Sequence, residues 1–226
     1  MPRDVGVVIV AAGDGTRLGG DVPKQFLMLA GVPVLLRAAR PFVSHPEVMH
    51  VVVVLRPADA AAPPDWLAPL VGSALSIAAG GATRRESVAA GLACLAAEIK
   101  VVLVHDGARP FPPRAAIDGG IRAARSGVSA VPAIGMADTL KRADAQGRVT
   151  ATVPREDIWS AQTPQAFPRT ILVRAHAQPP TTPATDDAML VESLGEPVVL
   201  VPGARRNLKI TTPEDLALAT WYANTP

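Results

Sequence analysis

Two basic residues, Arg17 and Lys24, stand beside a run of small residues near the start of the chain. The small residues of this run are Ala11, Ala12, Gly13, Gly15, Gly19 and Gly20. Their backbone N–H groups can turn towards a phosphate because no large side chain stands in the way. Fixed cations at this spacing can neutralise several negative charges. The residue types therefore predict a loop that holds a triphosphate.

This loop does not follow the two best-known nucleotide-binding patterns. The chain has no GxxxxGK[ST] sequence, which excludes a P-loop. The segment that begins at Gly13 also lacks the third glycine of the dinucleotide-binding GxGxxG pattern. A glycine-rich turn alone can be no more than a tight turn. The two cations, in the order GxGxRxG…PKQ, favour the nucleotide-binding interpretation.

The elements that must position this loop alternate along the first part of the chain. Strands are predicted at 5–10, 48–55, 74–79, 100–105 and 128–133, and helices at 33–44, 83–98 and 113–126. This alternation predicts an α/β fold, a three-layer sandwich around a mostly parallel sheet. Ligands bind beyond the carboxyl ends of such strands. The loops at 11–24, 80–87 and 106–109 are therefore expected to meet.

The alternation stops at 137–154, where polar and apolar residues alternate on either side of Gly147. This is the pattern of a β-hairpin with one buried face. The hairpin could decorate the edge of the main sheet, or it could be an arm that packs on a second subunit. Because a protruding hairpin has exposed edges that need cover, we favour the arm, which predicts a homodimer.

The C-terminal third predicts a strand and turn from Trp159, a helix at 168–178 and short strands at 197–201 and 208–211. Thr185 is expected to cap a helix whose first turn holds two carboxylates. A final helix is predicted after Thr212, with Pro213 in its first turn. No linker divides the sequence, so residues 1–226 are expected to form one domain with the arm attached.

Composition excludes several classes of protein. The chain is 49% hydrophobic and 19% charged, which is typical of a globular protein. Its single cysteine, Cys94, is predicted to be buried and fits a reducing cytoplasm. We expect no signal peptide, because the first strand is predicted to begin at Val5. No apolar run reaches the roughly 18 residues that cross a membrane. A net charge of +2 with scattered arginines predicts no nucleic-acid partner.

Seven sequence blocks occur in order over nearly the whole chain: AAGDGTRLGGDVPKQ, GGATRRESV, VLVHDGARP, DTLKR, TPQAF, TDDA and NLKITTPEDL. Together they resemble the 2-C-methyl-D-erythritol 4-phosphate cytidylyltransferases of the non-mevalonate isoprenoid pathway, which have a Rossmann-like nucleotidyltransferase fold. The resemblance implies transfer of CMP from CTP to 2-C-methyl-D-erythritol 4-phosphate with release of pyrophosphate. It also implies Mg²⁺ that is held mainly by the CTP phosphates.

The resemblance assigns roles to residues of this sequence. Arg17 and Lys24 match the family's transition-state stabilisers, and Arg155 and Lys209 match the cations that grip the substrate phosphate. Arg155 follows the arm, so it is expected to serve the partner's site. The implied nucleotide-binding residues are Ala11, Ala12, Gly13, Gly15, Gly80, Gly81, Arg84, Ser87 and Asp106. The implied substrate-binding residues are Asp106, Arg109, Thr139, Arg155, Thr163 and Lys209. Asp106 is also a candidate metal ligand.

Three alternatives remain open from the sequence. His105 and Asp106 could form a catalytic dyad, but the substrate phosphate is already anionic, so we predict a structural histidine at 105. A second pentitol phosphate, such as D-ribitol 5-phosphate, could replace the methylerythritol substrate. A CTP-binding module without catalysis is the third alternative, and it would be expected to lack Arg17 or Lys24.

Overall fold

A sheet of eight strands organises the protein, and β1 (Val5–Ala11) lies in its interior. The computed structural model describes residues 2–13, 22–72, 74–178 and 184–225. The other strands are β2 (Met28–Leu29), β3 (Val32–Pro33), β4 (Val48–Leu55), β5 (Leu75–Ala79), β6 (Val101–Asp106), β7 (Ser129–Gly135), β8 (Leu140–Ala143), β9 (Val149–Val153), β10 (Trp159–Ala161), β11 (Gln165–Pro168) and β12 (Val198–Pro202). The α-helices are α1 (Val34–Val43), α2 (Pro57–Ala61), α3 (Arg84–Ala93), α4 (Arg114–Arg125), α5 (Arg169–Ala177), α6 (Asp187–Glu192) and α7 (Pro213–Asn224). Short 3-10 helices are found at Lys24–Phe26 and Ala68–Leu70.

The main sheet is mostly parallel. Its strands lie in the order β10-β7-β11-β6-β1-β4-β5, and β12 pairs with β7. The pairs β1–β4, β1–β6, β4–β5 and β7–β12 are parallel, whereas β10 and β11 run antiparallel to their neighbours. Each parallel crossover passes through a helix, as the sequence pattern requires. The predicted α/β fold is therefore confirmed.

Alternate residues of the central strands face two different helical layers. Val7 and Ile9 of β1 pack in a cluster that includes α1 and α4, whereas Val8 packs in a second cluster with α3, α5 and α6. β6 divides in the same way, with Leu103 on one side and Val104 on the other. Because side chains alternate along a strand, an unbroken apolar run fills both layers. This is the physical basis of the three-layer sandwich.

The hairpin predicted at 137–154 is present as the antiparallel pair β8–β9, which forms a sheet separate from the main one. Gly147 in its turn has a φ of 79°, a conformation that favours glycine. No residue from 137 to 153 is buried within the chain, and Val149 is 63% exposed. The hairpin thus projects from the body of the protein.

Several predicted elements differ from the observed ones. Residues 208–211 do not form a strand, because the N–H of Ile210 donates instead to the carbonyl of Ala108 at 2.9 Å. Strand β11 was not predicted separately from the turn before it. Helix α3 ends at Ala93 rather than at 98, because the chain bends so that Leu95 and Ile99 pack into the core.

Two details at helix ends also correct the sequence predictions. Cys94 is exposed, not buried, because it lies at the C-terminal end of α3 where the chain turns. The cap of α6 is Asp186 rather than Thr185, since the Asp186 carboxylate accepts from the N–H of Met189 at 3.0 Å. The cap predicted at Thr212 is confirmed: its hydroxyl oxygen accepts from the N–H of Asp215, and the Asp215 carboxylate accepts from the N–H of Thr212. No α-helix in the described part of the chain has the length and apolar character to cross a membrane.

Candidate active site

A cavity of about 360 Å³ opens beyond the carboxyl ends of β1 and β6. Three segments that are far apart in the sequence meet in its wall, because neighbouring parallel strands end at the same edge of the sheet. The predicted site residues in the wall are Ala11, Ala12, Gly13, Lys24, Gly81, Arg84, Ser87, Asp106 and Lys209. The expected meeting of the loops is therefore confirmed for the described residues. Gly15 and Arg17 lie outside them.

Gln25 fixes the described part of the first loop. Its side chain is 2% exposed, and its Nε2 donates to the carbonyls of Ala11, at 2.8 Å, and Gly13, at 3.3 Å. These bonds attach the end of β1 to the short helix that carries Lys24. Lys24 itself lines the cavity. Gln25 is the last residue of the PKQ motif, where the sequence pattern alone gives it no role.

The glycine pair at 80–81 lets the second loop approach β1 closely. A Cβ at Gly80 would lie 2.7 Å from both the Cβ of Ala12 and the Oγ of Ser87, so any larger residue would push the loop outwards. Thr83 then caps α3 in a capping box with Glu86. The N-terminal end of α3 therefore lines the cavity, and such an end favours bound anions. Ser87 already donates its hydroxyl hydrogen to the carbonyl of Thr83 at 3.0 Å, which leaves its oxygen as an acceptor.

Asp106, at the end of β6, faces three cations. Its Oδ2 is 2.9 Å from Lys209 Nζ and 3.5 Å from Arg109 Nε, and its Oδ1 is 3.7 Å from Arg84 Nε. Burial by itself raises the pKa of the Asp106 carboxyl, but Lys209, Arg84 and Arg109 outweigh it and hold the pKa far below its usual range. Asp106 is thus ionised at neutral pH.

Asp187 holds Arg84 from the other side. Its carboxylate is fully buried, with Oδ2 2.7 Å from Arg84 Nη1 and Oδ1 2.9 Å from His176 Nε2. Burial lowers the pKa of the Arg84 guanidinium, but Asp187 and Asp106 reverse this effect and raise it. The sequence predicts for the Asp186–Asp187 pair only a role at the helix end. Nothing local in the sequence indicates a partner that is so distant along the chain.

A second cavity of about 240 Å³ adjoins the first. Its wall contains Arg109 and Thr163, as the resemblance implies, together with Gln162, Gln165 and Asp186. Of the described residues, three belong to both walls: Arg84, Asp106 and Lys209. The site therefore consists of two polar compartments that meet at one carboxylate and two cations.

His105 is a structural residue in this geometry. The ring is fully buried, its Nδ1 lies 2.9 Å from the Thr163 hydroxyl, and its Nε2 lies 3.0 Å from the carbonyl of Arg109. The carbonyl of Arg109 can only accept, so Nε2 carries the ring proton and Nδ1 accepts from the Thr163 hydroxyl, whose oxygen in turn accepts from the N–H of Asp106 at 3.0 Å. Burial lowers the pKa of His105 to about 4. Both ring nitrogens are occupied, which leaves no proton acceptor for a catalytic dyad.

Two predicted substrate residues lie away from these cavities within the described chain. Thr139 is exposed at the base of the hairpin. Arg155 is exposed as well, and its guanidinium donates to the carbonyl of Ala137, which closes that base. Neither residue belongs to the described walls of the two cavities.

One cluster of potential metal ligands occurs among the described residues, and it lies elsewhere. His45 and Glu47 precede β4, and Asp118 belongs to α4. His45 Nε2 is 2.9 Å from Asp118 Oδ1, and Glu47 is paired with Arg125. These contacts already use the side chains, so the cluster supports the structure rather than chemistry.

A loop of small residues after the first strand, a helix N-terminus and a set of cations around two adjoining cavities define an α/β nucleotidyltransferase. The family model for 2-C-methyl-D-erythritol 4-phosphate cytidylyltransferase matches residues 5–225. The chain belongs to this family. The resemblance seen in the sequence blocks is thus confirmed.

Individual relatives agree with this assignment. The 2-C-methyl-D-erythritol 4-phosphate cytidylyltransferase of Carboxydothermus hydrogenoformans is 38% identical over 218 residues, which cover 95% of this chain and 93% of the relative. A bifunctional enzyme IspD/IspF from Solidesulfovibrio magneticus is 46% identical, and the match covers 93% of this chain but only 55% of that protein. The crystal structure of the cytidylyltransferase from Thermus thermophilus has a TM-score of 0.80 and 37% identity, with both chains fully covered.

Proposed function

We propose that this protein transfers CMP from CTP to 2-C-methyl-D-erythritol 4-phosphate, forming 4-diphosphocytidyl-2-C-methyl-D-erythritol and pyrophosphate. The observation that carries the proposal is the junction of the two cavities at Arg84, Asp106 and Lys209. The larger cavity is walled by the phosphate-binding loop and the N-terminus of α3, which suits CTP. The smaller one holds Arg109 and Lys209, which suits the phosphate of the acceptor.

In this reaction an oxygen of the acceptor phosphate attacks the α-phosphorus of CTP. A new P–O bond forms, the bond between the α-phosphorus and the bridging oxygen to the β-phosphate breaks, and pyrophosphate carries away the electron pair. The nucleophile is already an anion, so no side chain has to remove a proton. The protein must instead align two highly charged groups and stabilise the charge that develops on the α-phosphate. Cations from both cavities are placed for this task.

Asp106 keeps these cations in place before the ligands arrive. Three cations near one point would repel each other, and an ionised carboxylate among them offsets this repulsion. When phosphates enter, Lys209, Arg109 and Arg84 can exchange part of their contact with Asp106 for contacts with phosphate oxygens. Lys24, with Arg17, is proposed to stabilise the triphosphate side of the transition state.

A divalent cation, such as Mg²⁺, is proposed to act with CTP. The described cavity walls contain no cage of carboxylates, which fits an ion held mainly by phosphate oxygens. Asp106 Oδ1 is the candidate protein ligand, because Oδ2 is already 2.9 Å from Lys209. Such an ion supplies charge neutralisation on the phosphates.

The assembly and location of the protein are also proposals. A homodimer in which Arg155 of the partner subunit completes the acceptor cavity would explain why Arg155 lies outside this cavity in its own chain. The net charge of only +2, with arginines scattered along the sequence, supports a protein without a nucleic-acid partner. A single cysteine is consistent with the cytoplasm.

The direct test is release of pyrophosphate from CTP with and without 2-C-methyl-D-erythritol 4-phosphate. We expect release only when this acceptor is present, and much slower release with D-ribitol 5-phosphate. CTP should be preferred to UTP, because a pocket that bonds the 4-amino group rejects a carbonyl. Faster turnover of ribitol phosphate would identify a different pentitol as substrate. CTP binding without turnover of either acceptor would identify a binding module.

A further inference from the structure

Lys209 lies in a segment, residues 203–210, that has no helix or strand. Nevertheless its Nζ is placed 2.9 Å from Asp106, at the junction of the two cavities. A lysine side chain has considerable rotational freedom, so its backbone must be well fixed for the amine to be positioned. The contacts that fix this segment are therefore relevant to binding.

Gln162 holds the start of the segment. Its Oε1 accepts from the N–H of Ala204 at 3.2 Å, and its Nε2 donates to the carbonyl of the same residue at 2.9 Å. The segment passes so close to this side chain that a Cβ at Gly203 would lie 2.7 Å from Gln162 Oε1. Gln162 is 5% exposed, so water does not compete strongly for these bonds.

Asn207 holds the middle of the segment and connects it to the rest of the acceptor cavity. Its side chain is fully buried, and its Nδ2 donates to Gln162 Oε1 at 3.2 Å and to the carbonyl of Thr163 at 2.9 Å. Its own carbonyl accepts from Arg109 Nη1 at 2.8 Å. Asn207 is therefore bound to one cation of the cavity, Arg109, and precedes another, Lys209, by two residues.

We propose that Asn207, supported by Gln162, is a positioning residue that fixes Lys209 and Arg109 for the phosphate of the acceptor. The proposal rests on the function proposed above and assigns Asn207 no contact with the substrate. Loss of the Nδ2 donors would free the segment and disperse the two cations. The acceptor phosphate would then bind less well, although both cations were still present.

Asn207→Asp is the sharpest variant because it keeps the size of the side chain. It replaces two N–H donors by an oxygen that faces two acceptors, Gln162 Oε1 and the Thr163 carbonyl. Rotation of the Gln162 amide cannot repair this, since it would turn Nε2 towards the N–H of Ala204. We expect the KM for 2-C-methyl-D-erythritol 4-phosphate to rise about tenfold or more. Gln162→Met, which keeps the bond from Asn207 to Thr163, should cause a smaller increase and serves if Asn207→Asp does not fold.

A double-mutant cycle separates positioning from a general structural effect. Asn207→Asp is measured in the wild type, in Lys209→Met and in Arg109→Met. If Asn207 acts through these cations, its effect on kcat/KM shrinks in at least one of the two backgrounds. An undiminished effect in both would overturn the proposal. So would an unchanged KM in a folded Asn207→Asp variant.

His45→Asn is the matched control. His45 is also buried, at 2% exposure, and makes two side-chain hydrogen bonds, but these hold Glu47 and Asp118 outside the site. We expect this variant to melt at a lower temperature with an unchanged KM for the acceptor. An equal rise of KM in His45→Asn would mean that lost stability alone explains the result for Asn207.

Calorimetric titration with inorganic phosphate, without CTP, provides a readout that does not depend on turnover. Phosphate should bind more weakly to Asn207→Asp than to the wild type and to His45→Asn. Wild-type protein that binds phosphate but turns over no acceptor would refute the proposed function and leave this comparison valid. Equal phosphate affinity in wild type and Asn207→Asp would overturn the inference itself.

Discussion

The neighbour of Lys24, Gln25, fixes the backbone that carries it. Gln25 attaches the short helix to the carbonyls of Ala11 and Gly13, so the amine starts from a fixed backbone beside the triphosphate loop. Lys24→Ala should lower kcat/KM about 10²–10³-fold, because it removes a cation that stabilises the transition state. Steady-state kinetics at saturating Mg²⁺ will measure this loss, and Arg17→Ala is expected to behave similarly.

Lys100→Ala is the control for the loss of one positive charge. Lys100 is exposed before β6, and its backbone N–H bond to the carbonyl of Asp4 survives the substitution. Its kcat/KM should match that of the wild type. Wild-type kinetics in Lys24→Ala would remove Lys24 from the catalytic set.

His105 predicts a specific pH dependence of stability. Its pKa is lowered to about 4 in the folded protein, while in the unfolded chain it is about 6.5. The unfolded chain therefore binds a proton first as the pH falls. The stability is complete above about pH 6.5 and is lost progressively between about pH 6.5 and pH 4, by about 3 kcal/mol in total.

The measurement is urea unfolding of the wild type and of His105→Gln at about pH 7 and about pH 4.5. The free energy of unfolding should fall less in the variant, by about 2–3 kcal/mol, because glutamine does not titrate. The other titratable groups are present in both proteins, so their effect on the free energy of unfolding cancels in the comparison. Equal losses would mean that His105 is protonated in the folded state.

Helix α4 offers two adjacent glycines with different surroundings. A Cβ at Gly120 would lie 2.8 Å from the Cβ of Ala166 in β11, whereas at Gly119 the nearest atom would be 3.6 Å away, in Val201. Gly119→Ala should raise the free energy of unfolding by about 0.5–1 kcal/mol through helix propensity. Gly120→Ala should lower it by about 1–3 kcal/mol, because α4 must move away from the sheet.

Thermal and urea unfolding of the two variants test this contrast. The pair is its own control, since both substitutions are the same and lie in the same helix. Similar effects in both variants would show that α4 does not pack on β11 as closely as described.

The sequence predicted elements well where the signal is local. The run of valines in β4 predicted a strand with the observed bounds, and the Thr212-Pro213 start of α7 predicted its cap. Strand β11 has no β-branched residue, and its conformation depends on its neighbours, β6 on one side and β7 on the other. Residues 208–211 were predicted as a strand from their alternating pattern, but they pair with no neighbouring strand and therefore do not form a strand.

The same distinction applies to the site. The glycines and cations of the first loop were recognisable because they are close together in the sequence. The contacts of Asp187 with Arg84, and of Asn207 with Gln162, join residues far apart in the chain, and they arise only from the way the strands and helices pack. In the sequence, the residue types of these four side chains do not distinguish them from polar residues on the surface.

At the scale of the whole molecule, one edge of the protein exposes apolar side chains. Trp159 of β10 and Leu200 of β12 are each about half exposed, and they line a groove with Arg205. The hairpin β8–β9, which also exposes Val149, lies in the chain between β7 and β10. Apolar surface of this kind is typical of subunit contacts and supports the proposed homodimer.

The proposed homodimer predicts complementation between inactive subunits. Arg155→Ala and Lys24→Ala, each inactive alone, should regain activity when mixed, because a mixed dimer holds one intact site. With random exchange about half of the dimers are mixed, so activity should approach about a quarter of the wild type. Activity assays after verified subunit exchange provide the measurement.

The control is a mixture of Lys24→Ala with Lys209→Ala. Lys24 and Lys209 line one cavity of the same chain, so a mixed dimer has a defect in each site and should recover nothing. No recovery in the first mixture would show that Arg155 does not act across the interface. Recovery in the control would show that regained activity is not evidence of a shared site.

The position of β11 between β6 and β7 determines when the main sheet can be completed during protein synthesis. Protein synthesis delivers β6 and β7 before β11, yet β11 lies between them in the finished sheet. Until Pro168 has left the ribosome, the apolar edge of Val101–Asp106 that faces away from β1 has no partner. Unpaired strand edges are templates for association with other chains. We therefore expect that nascent chains which have exposed β6 but not yet β11 depend most on chaperones.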